Sequence, residues 1–182
     1  MPQLLKRILL AIVAIAVAGF IAFQWMKADT KKHSPEETYT YYSGNFNLSV
    51  TYCRPFKKGR EIFGGLVPYG KVWRTGANEA TVVKLSHDIT FGGTPVKAGT
   101  YTLWTLPARD AWEVYLNSGS YSWGVDMDGN AQRDATKDVA VAKVPVTHLP
   151  EPAEQFTIVV NDEGTLLQLQ WDDVQVAVPF TY

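Results

Sequence analysis

Between Gly59 and Thr81 the chain reads GREIFGGLVPYGKVWRTGANEAT, which sets ligand-capable side chains among special-backbone residues. Arg74 offers a planar fork of five donors suited to a carboxylate or phosphate. Asn78 brings a donor pair and an acceptor, and Glu79 brings acceptors or general-base chemistry. Tyr69 and Trp73 present flat apolar faces to a sugar or another planar ligand. Gly64, Gly65 and Gly70 permit positive φ or close backbone approach, and Pro68 stiffens the turn between them. The small run Thr75-Gly76-Ala77 leaves room above the backbone. Tyr69, Lys71, Trp73, Arg74, Asn78 and Glu79 are therefore the expected ligand-binding set. The structural alternative is that Arg74 and Glu79 pair with each other and Asn78 caps its own backbone.

Other constellations carry less. Ser86-His87-Asp88 holds the residue types of a hydrolase triad, but neighbouring strand residues point to opposite faces and contiguous residues cannot build that geometry. His87 would need a distant partner, and no nucleophile-elbow motif is present. Asp126-Met-Asp-Gly-Asn130 invites a calcium reading. Against the calcium-loop template, Ala131 falls where glycine is needed and Lys137 where the bidentate glutamate belongs, so a solvated acidic turn fits better. His33, His87 and His148 are dispersed and match no zinc spacing. The single cysteine, Cys53, excludes an internal disulfide and reads as a small buried hydrophobe. Six tryptophans and nine tyrosines suit a core filled with large rings. A sugar-stacking platform of Trp73, Trp104 or Trp123 is the alternative. No cofactor and no metal are expected.

These residues need a scaffold, and the front of the chain says where it sits. Ile8 to Met26 is uncharged and reaches about 28 Å as a helix, close to a bilayer's hydrocarbon thickness. Lys6 and Arg7 precede it and Trp25 stands at its far end, an interfacial position. Ala16-Val17-Ala18 would serve a signal peptidase, but cleavage there leaves Gly-Phe-Ile-Ala-Phe exposed, which suits a retained anchor. The division expected is a cytoplasmic tail at 1–7, a transmembrane signal anchor at 8–26, a juxtamembrane linker at 27–43 and a folded domain at 44–182. Residues 34–182 carry 12 basic and 17 acidic side chains, which argues against nucleic acid as a partner. The address expected is the bacterial inner membrane, single-pass, with the C-terminal domain in the periplasm.

Beyond the linker the hydrophobic period is two. Phe46, Leu48 and Val50 alternate with polar residues, and similar runs lie at 80–86, 88–91, 101–106, 112–116, 139–146, 156–160, 167–171 and 174–178. Asp162-Glu163-Gly164 and Asp172-Asp173 read as turns between the last three. No amphipathic helix of ten residues follows residue 33. The fold class expected is all-β: a β-sandwich, jelly-roll-like or barrel-like, of about eight to ten strands behind a single transmembrane helix. The longest irregular stretch is Asn117 to Asp138.

IFGGLVPYGKVWRTGANEAT resembles the motif of the bacterial family called domain of unknown function 2911. Tyr52-Cys53-Arg54-Pro55, Lys58-Gly59-Arg60, Ala98-Gly99-Thr100-Tyr101, Leu103, Trp112, Asn117, Trp123-Gly124 and Lys137-Asp138-Val139 continue the likeness over about residues 45–160. The resemblance implies a secreted or envelope β-rich domain and implies no activity. Cys53 stands where the family pattern favours a serine-like residue, and the retained anchor departs from relatives with a removable signal. Together these observations point to a non-catalytic module binding a small molecule, glycan or peptide. One alternative is a hydrolase using Glu79 or His87 as general base. The other is a purely structural domain.

Overall fold

The computed structural model describes residues 2–182. They form two compact units, one ending at His33 and one running from Ser34 to Tyr182. The first is a single helix, α1 (Gln3–His33), with no buried residue. It is long and apolar enough to cross a membrane. Its 31 residues span about 46 Å, so the helix outruns the uncharged stretch at both ends. The segment read as a linker at 27–43 is accordingly ordered. The helix continues through Lys31 and Lys32, whose cationic side chains suit a helix C-terminus. A strand then begins two residues after Ser34.

The second unit is all-β. Its strands are β1 (Glu36–Ser43), β2 (Phe46–Cys53), β3 (Ala77–Leu85), β4 (Ile89–Phe91), β5 (Thr94–Val96), β6 (Gly99–Leu106), β7 (Ala111–Asn117), β8 (Asp138–Val160) and β9 (Leu166–Thr181). They form one antiparallel sheet in the order β1-β2-β3-β6-β7-β8-β9-β4-β5. β1 leaves little trace in the sequence because only its half-buried Tyr39 and Tyr41 face the core.

Two pairs of runs that read as separate strands are each one strand. Val139–Val146 and Phe156–Val160 are the two ends of β8, and Leu167–Trp171 and Val174–Val178 are parts of β9. Asp172-Asp173 is therefore a kink and not a turn. Asp172 takes φ +53°, the buried side of the strand shifts from Trp171 to Val174, and the β8–β9 register breaks at His148, Ala153 and Thr157. Such irregularities bend a strand and change which face its side chains occupy.

That bending lets the sheet fold over its own apolar face. β2 and β8 are not neighbours in the sheet, yet the Ile158 amide donates to Tyr52 Oη at 2.8 Å and the Val160 amide to Tyr39 Oη at 3.1 Å. Arg54 Nε donates to the Phe156 carbonyl at 3.0 Å. The enclosed core is rich in rings, with Trp112, Phe156, Trp171 and Phe180 buried. A smaller apolar group of Ala80, Trp104 and Tyr115, with Val72, Tyr121 and Ala131 against it, lies under the 117–138 stretch.

That stretch is pinned by one side chain. Asn117 is fully buried. Its Nδ2 donates to the Asp134 carbonyl and to Asp138 Oδ1, both at 2.8 Å, while its Oδ1 accepts from the Gly119 amide and from Tyr121 Oη. The Asp126 turn closes on itself. Oδ1 accepts from the amides of Asp128 and Asn130, which holds the carboxyl below the usual range. The carboxylate caps its own backbone, as an acidic turn does.

Candidate functional site: a polar cluster on a strained bulge

The site is built by a break in strand pairing. β2 and β3 are in register from Leu48↔Leu85 to Thr51↔Val82, but the next pair is Cys53↔Ala77. Residues 78–81 thus form a wide bulge, which re-aims their side chains. The backbone entering it is strained. Thr75 (φ +56°) and Asn78 (φ +57°) are both left-handed, with Gly76 at φ +150° between them. For a β-branched residue that conformation is a true outlier, held only when its surroundings over-determine it. Here Thr75 Oγ1 donates to Thr105 Oγ1 at 3.1 Å, and Thr81 Oγ1 donates to the Thr75 carbonyl at 2.6 Å. A Cβ at Gly76 would lie 3.0 Å from the Cys53 carbonyl oxygen and 3.1 Å from Thr81 Oγ1, so a side chain there would be crowded as well as strained.

Around this bend the polar groups meet. The Cys53 thiol donates to Glu79 Oε2 at 3.4 Å, and the Asn78 amide also hydrogen-bonds its sulfur. Asn78 is buried, and its Nδ2 donates to the Ser34 carbonyl at 3.4 Å. Burial, the carboxylate of Glu79 and the carboxylate of Glu36 together push the Cys53 thiol up to about 11, so it keeps its proton at neutral pH and is no nucleophile. Arg74 is half-buried. Desolvation lowers its pKa while the nearby Cys53 and Glu79 raise it. Its Nη1 donates to the Trp123 carbonyl at 3.1 Å, and its guanidinium lies 6.0 Å from the centre of the Trp123 ring.

Of the six residues expected in the site, three come together: Arg74, Asn78 and Glu79. Trp73 does not join them as a platform. Its ring stacks on Trp171 at 6.0 Å and 17° and meets Phe156 edge-on at 5.0 Å, while its Nε1 donates to the Gly76 carbonyl. Tyr69 stands in a separate recess with Arg109 over its ring, and Lys71 is exposed. Sequence reasoning missed Glu36 and Cys53 as members. Their signal is the register, because Glu36 pairs with Cys53 across β1–β2, and a strand as polar as β1 does not announce its register.

Glu36, Cys53 and Glu79 place their donor atoms within 4.8 Å of one another, a set able to reach one metal ion. The Arg74 guanidinium, in the same field, already answers part of that negative charge. The other catalytic candidate is self-contained: His87 Nδ1 lies 2.8 Å from Ser86 Oγ, while Asp88 is committed to Lys97 and to the Ala98 amide. Of the proposed sugar platform, Trp104 is fully buried, while Trp73 and Trp123 are half-buried, Trp73 against the core and Trp123 beside Arg74.

The family model described as "Protein of unknown function (DUF2911)" matches residues 34–180. The chain belongs to this family. The matched span coincides with the β unit and begins directly after α1, so the DUF2911 domain starts ten residues earlier than its strand pattern suggests. No curated protein and no solved structure matches the chain. Within the DUF2911 domain, the motif stretch divides three ways: Glu61–Tyr69 walls a recess, Trp73 enters the core, and Arg74–Glu79 builds the strained polar bend.

Proposed function

We propose that this protein is a non-catalytic binding module tethered to the bacterial inner membrane by α1, with its DUF2911 domain in the periplasm. The binding site is the bend formed by Arg74, Asn78 and Glu79. The observation that carries this reading is the left-handed backbone at the β-branched Thr75: strain of this kind persists where a precise side-chain arrangement is worth its cost. The bend offers a guanidinium and a carboxylate that both reach water, which suits a polar glycan, peptide or small molecule. The high thiol pKa and the committed Ser86-His87-Asp88 contacts support binding over hydrolysis.

A thermal-shift screen of the full chain in detergent against glycans, peptides and nucleotides tests it. One class should raise the melting temperature, and Arg74→Lys with Glu79→Gln should abolish the rise. Absence of stabilisation by every class, or full retention in the double variant, overturns the proposal. The Arg74 contacts to Trp123 favour a second reading, in which the bend only clamps the 117–138 stretch. The double variant would then melt early and no ligand would shift the parent.

A further inference from the structure

A second concavity lies away from the strained bend. It is a recess of about 150 Å³ walled by the Glu61–Tyr69 turn, Arg109, the start of β7 at Trp112, and the irregular middles of β8 and β9 around His148 and Asp173. Its floor is apolar and ring-lined: Phe63 and Trp112 are buried and meet edge-on at 4.9 Å. The volume equals that of an engineered cavity that holds a single benzene, so the recess takes one compact body.

The rim carries charge of both signs, and part of it is spoken for. Asp172 is paired with Lys57, and Asp173 Oδ2 lies 3.1 Å from His148 Nδ1. Among the described residues, two charged groups on the wall have neither an ion pair nor a hydrogen bond from their side chains. One is the Glu61 carboxylate. The other is the Arg109 guanidinium, which rests over the Tyr69 ring at 5.0 Å. One is negative, one positive, and both are exposed at the mouth of the recess.

We infer that this recess binds a small zwitterion, an α-amino acid with a compact apolar side chain. Its ammonium meets Glu61, its carboxylate meets Arg109 through a two-donor fork, and its side chain covers Phe63 and Trp112. A ligand of a single charge pairs with only one wall and forgoes the second charge-assisted contact.

Isothermal titration of the full chain in detergent micelles, with L-leucine, isoamylamine and 4-methylpentanoate as probes, tests this. Leucine should bind about tenfold or more tightly than either singly charged analogue. Glu61→Gln should reduce leucine to the affinity of 4-methylpentanoate and leave that acid unaffected. Arg109→Gln should reduce leucine to the affinity of isoamylamine. Unchanged melting of both variants checks folding, which their exposure favours. An analogue matching leucine in the parent, no heat from leucine at any soluble concentration, or variants that lose all three probes equally would each overturn the assignment. Neither variant touches Arg74 or Glu79, so failure here is distinct from failure of the bend as a site.

Discussion

Cys53 Sγ lies 3.4 Å from Glu79 Oε2, the thiol donating to the carboxylate. The pair joins the end of β2 to the bulge of β3 and makes domain stability depend on the thiol proton.

Raising the pH should therefore weaken the fold through Cys53. Its pKa rises from the ordinary 9.0 to about 11 on folding. Below about pH 9 both states keep the proton and the contribution is complete. Between pH 9 and 11 the unfolded chain releases the proton while the folded one holds it, so stability falls as pH rises. Tyr115, pushed up to about 12 by burial and its bond to Glu113, adds a further loss above pH 10. Urea midpoints for the parent and Cys53→Ala should converge between pH 9 and 11. Parallel curves would refute the linkage.

Replacing Gly76 by Ala should cost more than replacing Gly44 by Ala. Both have positive φ, but a Cβ at Gly44 meets nothing within 4 Å. The Gly44 change should cost about 1 kcal/mol and the Gly76 change roughly 2 kcal/mol or more, because steric crowding adds to the backbone strain. Equal costs in chemical denaturation would mean that the bend yields freely.

Asn117→Ala should release the 117–138 stretch. It removes four hydrogen bonds from a fully buried side chain and leaves buried partners unsatisfied, a loss on the order of 3 kcal/mol. Limited proteolysis should then cut between residues 118 and 134 in the variant and spare the parent. Resistance in both would show that the apolar group under Tyr121 holds the stretch alone.

Tyr52→Phe keeps the ring in the core but strips the acceptor from the Ile158 amide. A buried donor left alone costs about 1–3 kcal/mol, and hydrogen exchange at Ile158 should accelerate with it. An unaltered exchange rate would mean that the phenol bond does not bind the folded-over halves of the sheet.

Much of the scaffold was legible because period-two burial leaves a plain trace. Phe46, Leu48 and Val50 are all inward, and α1 declares itself by its uncharged run. Asp172-Asp173 misled because two acidic residues normally mark a turn, whereas here a left-handed kink keeps the strand continuous. In the candidate site, Arg74, Asn78 and Glu79 could be grouped from their spacing. Cys53 and Glu36 could not, since they arrive through pairing across β1–β2 and a bulge whose size no residue type announces. Trp73 resisted for a different reason: aromatic rings beside glycine look alike whether they face solvent or stack on Trp171.

The folding-over of the sheet also sets a schedule. The bonds from Ile158 to Tyr52 and from Val160 to Tyr39 join residues more than a hundred positions apart, and contacts so remote in sequence form late and slowly. A nascent chain carrying β1 to β7 must wait with its ring-rich face uncovered until the last two strands emerge. Assembly of the domain is thus gated by the emergence of β8 and β9, and the hairpin of β1 and β2 is among the last pieces to be sealed.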